Sequence, residues 1–238
     1  MKESFTNVTD SSRSPSLSLR LAPKVTINKL SEYKYQLYLF KENNVFLESV
    51  FSLLGNSGAS ITKSAINNYS ISLDFCAHSV KPLSYYQEHG LIDYHLAISM
   101  MHSLYKQQSV LEKYNCGFYC LDMDDIIVID SSIFICINPS LIKDIRDKHF
   151  TFYSPFSRAS KHGFFSPEIM ALNFIPASIH LNCFYYSLGA LAVYCLFGKK
   201  LDTASVSDLL KPIAQTKLYW MLLKSLTIDC ERRTLIYF

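Results

Sequence analysis

Seven cysteines, at positions 76, 116, 120, 136, 183, 195 and 230, are the first side chains in this 238-residue chain able to do chemistry. Their number is odd and no C-x-x-C pair occurs. Most sit among apolar neighbours, as Cys76 does after Phe75 and Cys195 does between Tyr194 and Leu196. Buried free thiols in a reducing, intracellular compartment are the expectation. A zinc site from Cys116, Cys120 and a distant His is the alternative, but the spacing is wrong for the common zinc modules. The glycines exclude more chemistry than the cysteines suggest. There are seven: Gly55, Gly58, Gly90, Gly117, Gly163, Gly189 and Gly198. No G-x-G-x-x-G, G-x-x-x-x-G-K-[ST] or G-x-S-x-G can be assembled from them. The common phosphate cradles and the nucleophile elbow are therefore absent.

The totals bound the rest. Lys and Arg number 23 against 20 Asp and Glu, a formal charge of +3. That is too small to argue for nucleic acid or an anionic membrane as partner. Hydrophobic residues make up 49% and aromatic residues 14%, so the chain as a whole is not disordered. Residues 1–20 are polar and Ser-rich, without the apolar stretch of a signal peptide. They read as a disordered tail in which Ser14-Pro15 offers a phosphorylation site. Asn7 and Asn68 then match the glycosylation pattern by chance. Residues 169–198 carry no Asp, Glu, Lys or Arg. Asn173, Pro176, His180 and Asn182 interrupt the first half, and Cys183–Phe197 falls short of the ~20 residues of a spanning helix. A buried core helix is predicted there, and no membrane span.

Elements follow from periodicity. Strands are predicted at Val25–Ile27, Tyr35–Phe40 and Tyr69–Cys76, and a helix over Asn44–Leu54 that Gly55 stops. Asn56–Ser64 reads as a polar loop. A short helix over Lys81–His89 ends at Gly90. Asp93 caps a long helix to about Tyr114, apolar over much of its surface and so internal. Short β-branched or aromatic runs follow at Phe118–Leu121, Ile126–Ile129 and Ile133–Ile137. Asp130, Ser131 and Ser132 supply a tight turn between the last two. The last predicted helix covers about Lys217–Leu226.

A buried helix followed by a small hairpin, and three motifs after it, resemble the C-terminal lobe of a eukaryotic-type protein kinase. Phe165-Ser166-Pro167-Glu168 resembles the A-P-E motif. Tyr186-Ser187-Leu188-Gly189 with Val193-Tyr194-Cys195-Leu196-Phe197-Gly198 resembles the "D-x-W-S-L-G … Y-x-L-L-x-G" helix. Leu226-Thr227-Ile228-Asp229-Cys230-Glu231-Arg232-Arg233 resembles "L-x-x-D-P-x-x-R". About 20 residues separate the first from the second, and about 40 the second from the third. The texture is also similar to divergent kinase-like proteins of large DNA viruses. The resemblance covers 80–238 well and 20–80 poorly. It implies an α+β, protein-kinase-like fold: a Ser-rich tail at 1–20, a small degenerate β-rich N-terminal lobe at 21–79, and a mainly helical C-terminal lobe at 80–238. It also implies that Glu168 pairs with Arg233, a structural tie.

The catalytic positions carry the wrong residues. Asp125-Ile126-Ile127-Val128-Ile129-Asp130 matches "N-I-L-L-x-D" and puts Asp125 at the family's metal-binding Asn. The H-R-D triplet then falls on Phe118-Tyr119-Cys120, and the D-F-G Asp on Asn138. Asn offers a carbonyl oxygen but neutralises no charge, and Cys120 cannot replace a carboxylate that accepts a hydroxyl hydrogen bond. The Asp that braces the catalytic loop is replaced by Phe184. Lys41 and Glu48 stand at the nucleotide lysine and its partner, only seven residues apart; Lys24 and Lys34 are the other candidates. The resemblance therefore implies a pseudokinase, a binding or scaffolding module for protein partners, with no cofactor and no metal. The first alternative is an atypical serine/threonine-type kinase using Mg²⁺–ATP through Asp122, Asp124 or Asp125, the first two as displaced carboxylates. The second is an unrelated α+β structural or interaction protein. Any cleft between 69–76 and the 118–137 hairpin is expected to be filled by Phe118, Ile135 and Ile137 rather than by converging charges.

Overall fold

The structure, a computed structural model, describes residues 18–22, 25–40, 44–55, 61–67, 70–154, 163–201 and 206–235. It is a mixed α+β fold. The N-terminal part is a five-stranded antiparallel sheet. Strands β1 (Ser18–Ala22), β2 (Val25–Lys29) and β3 (Lys34–Phe40) precede helix α1 (Asn44–Gly55); β4 (Ile61–Asn67) and β5 (Ser70–Cys76) follow it. The sheet order is β1-β2-β3-β5-β4. Val25, Ile27, Tyr35, Leu37, Ile71, Leu73 and Phe75 point inward at every second position, as a half-buried sheet requires. Helix α1 covers that face with Phe46, Leu47, Val50, Leu53 and Leu54. Two expectations are corrected here. Ser18–Arg20 belong to an edge strand paired with β2 rather than to a tail. The polar loop expected over Asn56–Ser64 gives way from Ile61 to a strand laddered along β5. In both cases backbone pairing to a neighbour already in place outweighs weak local propensity. Ser14, Pro15, Lys24 and Lys41 lie outside the described residues.

Strand β6 (Val80–Pro82) and helix α2 (Leu83–Glu88) lead into helix α3 (Tyr94–Glu112). The Asp93 carboxylate accepts the Leu96 N–H at 2.7 Å, capping α3. Short strands β7 (Cys116–Phe118) and β8 (Leu121–Asp122) come next, then the hairpin of β9 (Ile126–Ile129) and β10 (Ile133–Cys136). Its turn places Asp130 and Ser131 at φ +49° and +53°, a region that Asp tolerates better than most residues. The Asp130 carboxylate accepts the Ser79 N–H, and Ser131 bonds the Tyr86 hydroxyl. Every residue of β9 is buried. Ile127, Ile129, Ile135 and Ile137 join the core of the β-sheet and α1. Ile126, Val128, Phe134 and Cys136 join the core of the helices. A strand buried on both faces reads as a continuous apolar run, which is how Ile126–Ile129 is written.

Strands β11 (Ile142–Arg146), β12 (His149–Phe152), β13 (Gly163–Phe164) and β14 (Ala177–His180) flank helix α4 (Pro167–Met170). Helices α5 (Cys183–Phe197), α6 (Val206–Leu210) and α7 (Lys217–Ser225) complete the helical part. β14, β12, β11 and β7 form a four-stranded sheet that the sequence did not predict. Helix α5 is buried along most of its length, and Gly198 closes it at φ +65°. α5 meets α7 so closely that a Cβ on Gly189 would lie 2.3 Å from Ser225 Oγ. Among the described residues no helix is long and apolar enough to cross a membrane.

Two adjacent glutamines in α3 carry polar load inside this apolar frame. Gln107, fully buried, accepts the Cys136 N–H at 2.9 Å and donates to the Cys136 carbonyl at 2.8 Å. The same amide reaches Ser49 Oγ of α1 at 3.3 Å. Gln108 accepts the Phe118 N–H at 2.8 Å and donates to Glu112. Gln107→Met keeps the side-chain length but strips both partners from the Cys136 backbone. It is expected to lower unfolding free energy by about 2–4 kcal/mol, since each buried group left bare costs about 1–3. Urea titration followed by far-UV dichroism measures this; an unchanged midpoint would refute the role.

Candidate functional site

The hairpin delivers Asp125 and Asn138 to one spot. Asp125 ends a 3-10 turn just before β9, and Asn138 lies two residues past β10. The Ile137 N–H donates to the Asp125 carbonyl at 2.8 Å, which fixes the two ends side by side. Asn138 Nδ2 then donates to Asp125 Oδ2 at 2.6 Å, and Asn138 Oδ1 accepts the Ser140 N–H. Asp125 is 8% exposed. Burial, first, and repulsion from Asp122 and Asp124 push its carboxyl up to about 6, against the opposing effect of the Asn138 hydrogen bond. Asp122 and Asp124 flank it, and Asp122 Oδ1 caps the 3-10 turn by accepting the Asp124 N–H at 3.0 Å. Among the described residues no group of three or more His, Cys, Asp or Glu side chains is placed to hold a metal ion.

The segment before it is a packed loop. Cys120 is buried, and desolvation raises its thiol far above the ordinary range. It shares an apolar cluster with Tyr119, Phe150, Phe152, Ile169, Ile179 and Cys183. Two side chains of α5 grip the loop backbone. The Cys183 thiol donates to the Tyr119 carbonyl at 3.3 Å, and Ser187 Oγ accepts the Leu121 N–H at 2.7 Å while donating to the Phe164 carbonyl. Phe184, on the same helix, stacks on Phe118 with ring centroids 6.4 Å apart. Phe118 thus lies in the helical core rather than in the seam beneath the sheet, where it was expected. The direction of its side chain from β7 towards α5 decides this. Ile135 and Ile137 do lie in that seam.

Other expected positions come out dispersed. Glu48 is exposed on α1, on the side away from the buried Phe46, Leu47 and Val50. Lys34 is half-exposed and pairs with Asp74 at 3.3 Å. Of the seven free thiols, Cys120, Cys136, Cys183 and Cys195 are buried, whereas Cys76 is exposed. Cys116 is directed at Asp144, with Sγ to Oδ1 3.6 Å, while Cys120 is enclosed by the apolar cluster. A cavity of about 260 Å³ lies beside Tyr33, Cys76, His78 and Asp130. Another of about 310 Å³ lies on the β11–β12 sheet beside Lys143, Arg146 and Tyr153. Neither is lined by Asp125 or Asn138.

Glu168 and Arg233, 65 residues apart, meet in a two-pronged ion pair, NH1 to Oε1 and NH2 to Oε2. The Arg233 side chain is 0% exposed. Its Nε donates to the Thr227 carbonyl at 2.6 Å, and NH2 also donates to the Ile228 carbonyl at 2.9 Å. The guanidinium lies 5.0 Å from the Tyr186 ring centroid. Gln107, Ser187 and Asn182 are the residues that sequence reasoning missed. Their one signal is polarity inside otherwise apolar segments.

Two outcomes follow from these charges. Glu168→Ala leaves the guanidinium buried without its counter-charge, at an expected cost of about 3–5 kcal/mol. Glu168→Gln, which keeps an acceptor, is expected to cost less; equal losses in a melting experiment would refute the charge pairing. Asp125 works in the opposite sense. Its folded carboxyl binds a proton more tightly than the unfolded one, whose ordinary value is 3.8. Stability from this group is full below about pH 4 and is lost as pH rises through about 6. Asp125→Asn, neutral and still an acceptor for Asn138, is expected to be more stable than the parent at pH 7.5. The gain is about 1 kcal/mol after screening by the water that reaches the carboxylate, and it closes by pH 4. Melting curves across that range test it.

No family model matches the chain, and no curated protein is significantly similar to it. The functional reading therefore rests on the site itself.

Proposed function

We propose that this chain is a pseudokinase: a protein-kinase-like fold, with a small β-rich lobe and a helical lobe, that acts as a binding or scaffolding module for a protein partner without transferring phosphoryl groups. The apolar seam between sheet and hairpin carries this reading. In a protein kinase the nucleotide occupies the cleft between the lobes. Here Ile127, Ile129, Ile135 and Ile137 share one core with Val25, Ile27, Leu37, Leu73 and Phe75. Such packed side chains offer the phosphates of a nucleotide no cationic partner, and the cavity of about 260 Å³ at the rim of the seam is lined by Phe75, Ile129 and Ile133 with Asp130, not by a lysine or arginine. The donor set at the edge does not fit Mg²⁺–ATP either. Among the described residues Asp125 is the one buried carboxylate, and one of its oxygens accepts a hydrogen bond from Asn138.

The kinase-like part of the reading is supported by the pairing of Glu168 with Arg233 beside the buried helix α5. A chance match of three motifs gives no reason for those two residues to meet. It is supported too by the order of elements, a β-rich unit, a long buried helix and then a hairpin. The replacements are mutually consistent. Cys120 and Phe184 are apolar partners of their surroundings, which suits a loop that no longer orients a substrate hydroxyl.

Titration with Mg²⁺–ATP, followed by thermal shift, decides between the pseudokinase and the atypical kinase. The expected result is no shift at millimolar nucleotide, with or without metal. Micromolar, metal-dependent binding abolished by Asp125→Ala would overturn the reading in favour of catalysis through the acidic turn.

A further inference from the structure

The corner between β14 and α5 contains a hydrogen bond whose direction fixes a protonation state. His180 ends β14, opposite His149 of β12, with ring centroids 5.2 Å apart at 87°. Its Nδ1 accepts the backbone N–H of Asn182 at 3.2 Å. A backbone N–H only donates, so this nitrogen must be bare and His180 neutral, with its proton on Nε2. The His149 ring is oriented separately, by the Asp147 carbonyl at its own Nδ1.

The residue held by this bond is itself a fastener. Asn182 precedes α5, and its side-chain amide donates to the Cys230 carbonyl at 3.0 Å and to the Arg233 carbonyl at 3.2 Å. The turn it holds contains the arginine that pairs with Glu168. The Leu181 N–H, between the two, donates to the Lys148 carbonyl. Around the His180 ring, His149 and Lys148 oppose a positive charge while Glu231 and Glu168 favour one. Burial is the largest influence, and the ring's affinity for a proton is lowered overall.

We propose that His180 is a proton-sensitive latch: neutral, it holds the Asn182 corner and through it the 230–233 turn, and protonated, it releases both. On protonation Nδ1 becomes a donor facing another donor, so the bond to Asn182 is lost and the ring turns outward toward Glu231. The Asn182 amide is then free to leave the Cys230 and Arg233 carbonyls. The latch is independent of the kinase-like reading, since it rests on this corner alone. Its sign follows from linkage. A histidine that binds protons less well when folded gives stability that is present above its unfolded value, 6.5, and lost as pH falls through that value. Each unit below the folded midpoint favours the released form about tenfold further.

Imidazole ¹⁵N spectra of the full chain test the premise directly. The expected result is a His180 that titrates below 6.5 and carries its proton on Nε2 when neutral. Hydrogen exchange, corrected for intrinsic rates, tests the consequence. Protection at the Asn182 amide and through 230–235 is expected to fall several-fold between pH 7.5 and pH 5.5. His180→Asn is expected to remove that pH dependence, whereas His149→Gln leaves the latch bond and raises the His180 midpoint. A neutral His180 protonated on Nδ1, a midpoint at or above 6.5, or an unchanged pH dependence in His180→Asn would each overturn the proposal. The spectra of the parent protein decide even where the variant does not fold.

Discussion

The hairpin of β9 and β10 belongs to two cores at once, and the rest of the structure depends on that double burial. One row of isoleucines lies under the β-sheet and α1, and the other row of side chains lies against α3 and α5. Burying a side chain of this size is worth about 1.5–3 kcal/mol, so eight such positions bind the two parts through apolar contact alone. An aqueous cleft between sheet and hairpin would expose one row. The same packing that joins the halves therefore decides what the seam can admit.

Apolar packing fixes no register, and polar side chains supply it. Gln107 reads both backbone groups of Cys136 and touches Ser49 in α1, so one amide aligns helix, hairpin and helix. Ser187 and Cys183 do the same for the loop at Tyr119–Leu121, from a helix with no charged residue in it. These groups answer a general need. Irregular backbone inside a core must find donors and acceptors or forfeit about 1–3 kcal/mol per group. They also stiffen the arrangement, because satisfied buried bonds are lost together or not at all.

Much of the fold was legible because its signals are local. Strict alternation marks β2, β3 and β5; Asp93 and Gly55 mark helix ends; the charge-free run at 183–197 marks a buried helix. Their observed ranges differ from expectation by a residue or two at most termini. β4, β11, β12 and β14 were not legible in the same way. β4 is as long as β5 and pairs with it directly, but its sequence is mixed in polarity; β11, β12 and β14 are shorter and depend on partners far away in sequence, as where β12 pairs β14 across 27 residues between Thr151 and Ser178. The site divides likewise. Cys120, Asp125 and Asn138 could be singled out by counting along the chain, but the bond between Asp125 and Asn138 was not legible there. Neither was the position of Phe118, since the alternation of a three-residue strand does not say which core receives it.

Two carboxylates, the buried Asp125 and the partly buried Glu168, show how differently the chain treats charge. Glu168 has a guanidinium with both nitrogens engaged, and around it lie further carbonyls that complete the arginine's donors. Each charge there is answered, so the pair can sit inside the protein and tie α4 to the C-terminal turn. Asp125 has an amide and no cation, with two more carboxylates close by. Burial, and repulsion from those carboxylates, push the Asp125 carboxyl up to about 6, because an amide shares a proton with the charge but does not cancel it. A chain selected for stability alone would carry Asn at both hairpin ends. The carboxylate kept there is desolvated and repelled by Asp122 and Asp124, so a proton bound near pH 6 does for Asp125 what the Arg233 guanidinium does for Glu168.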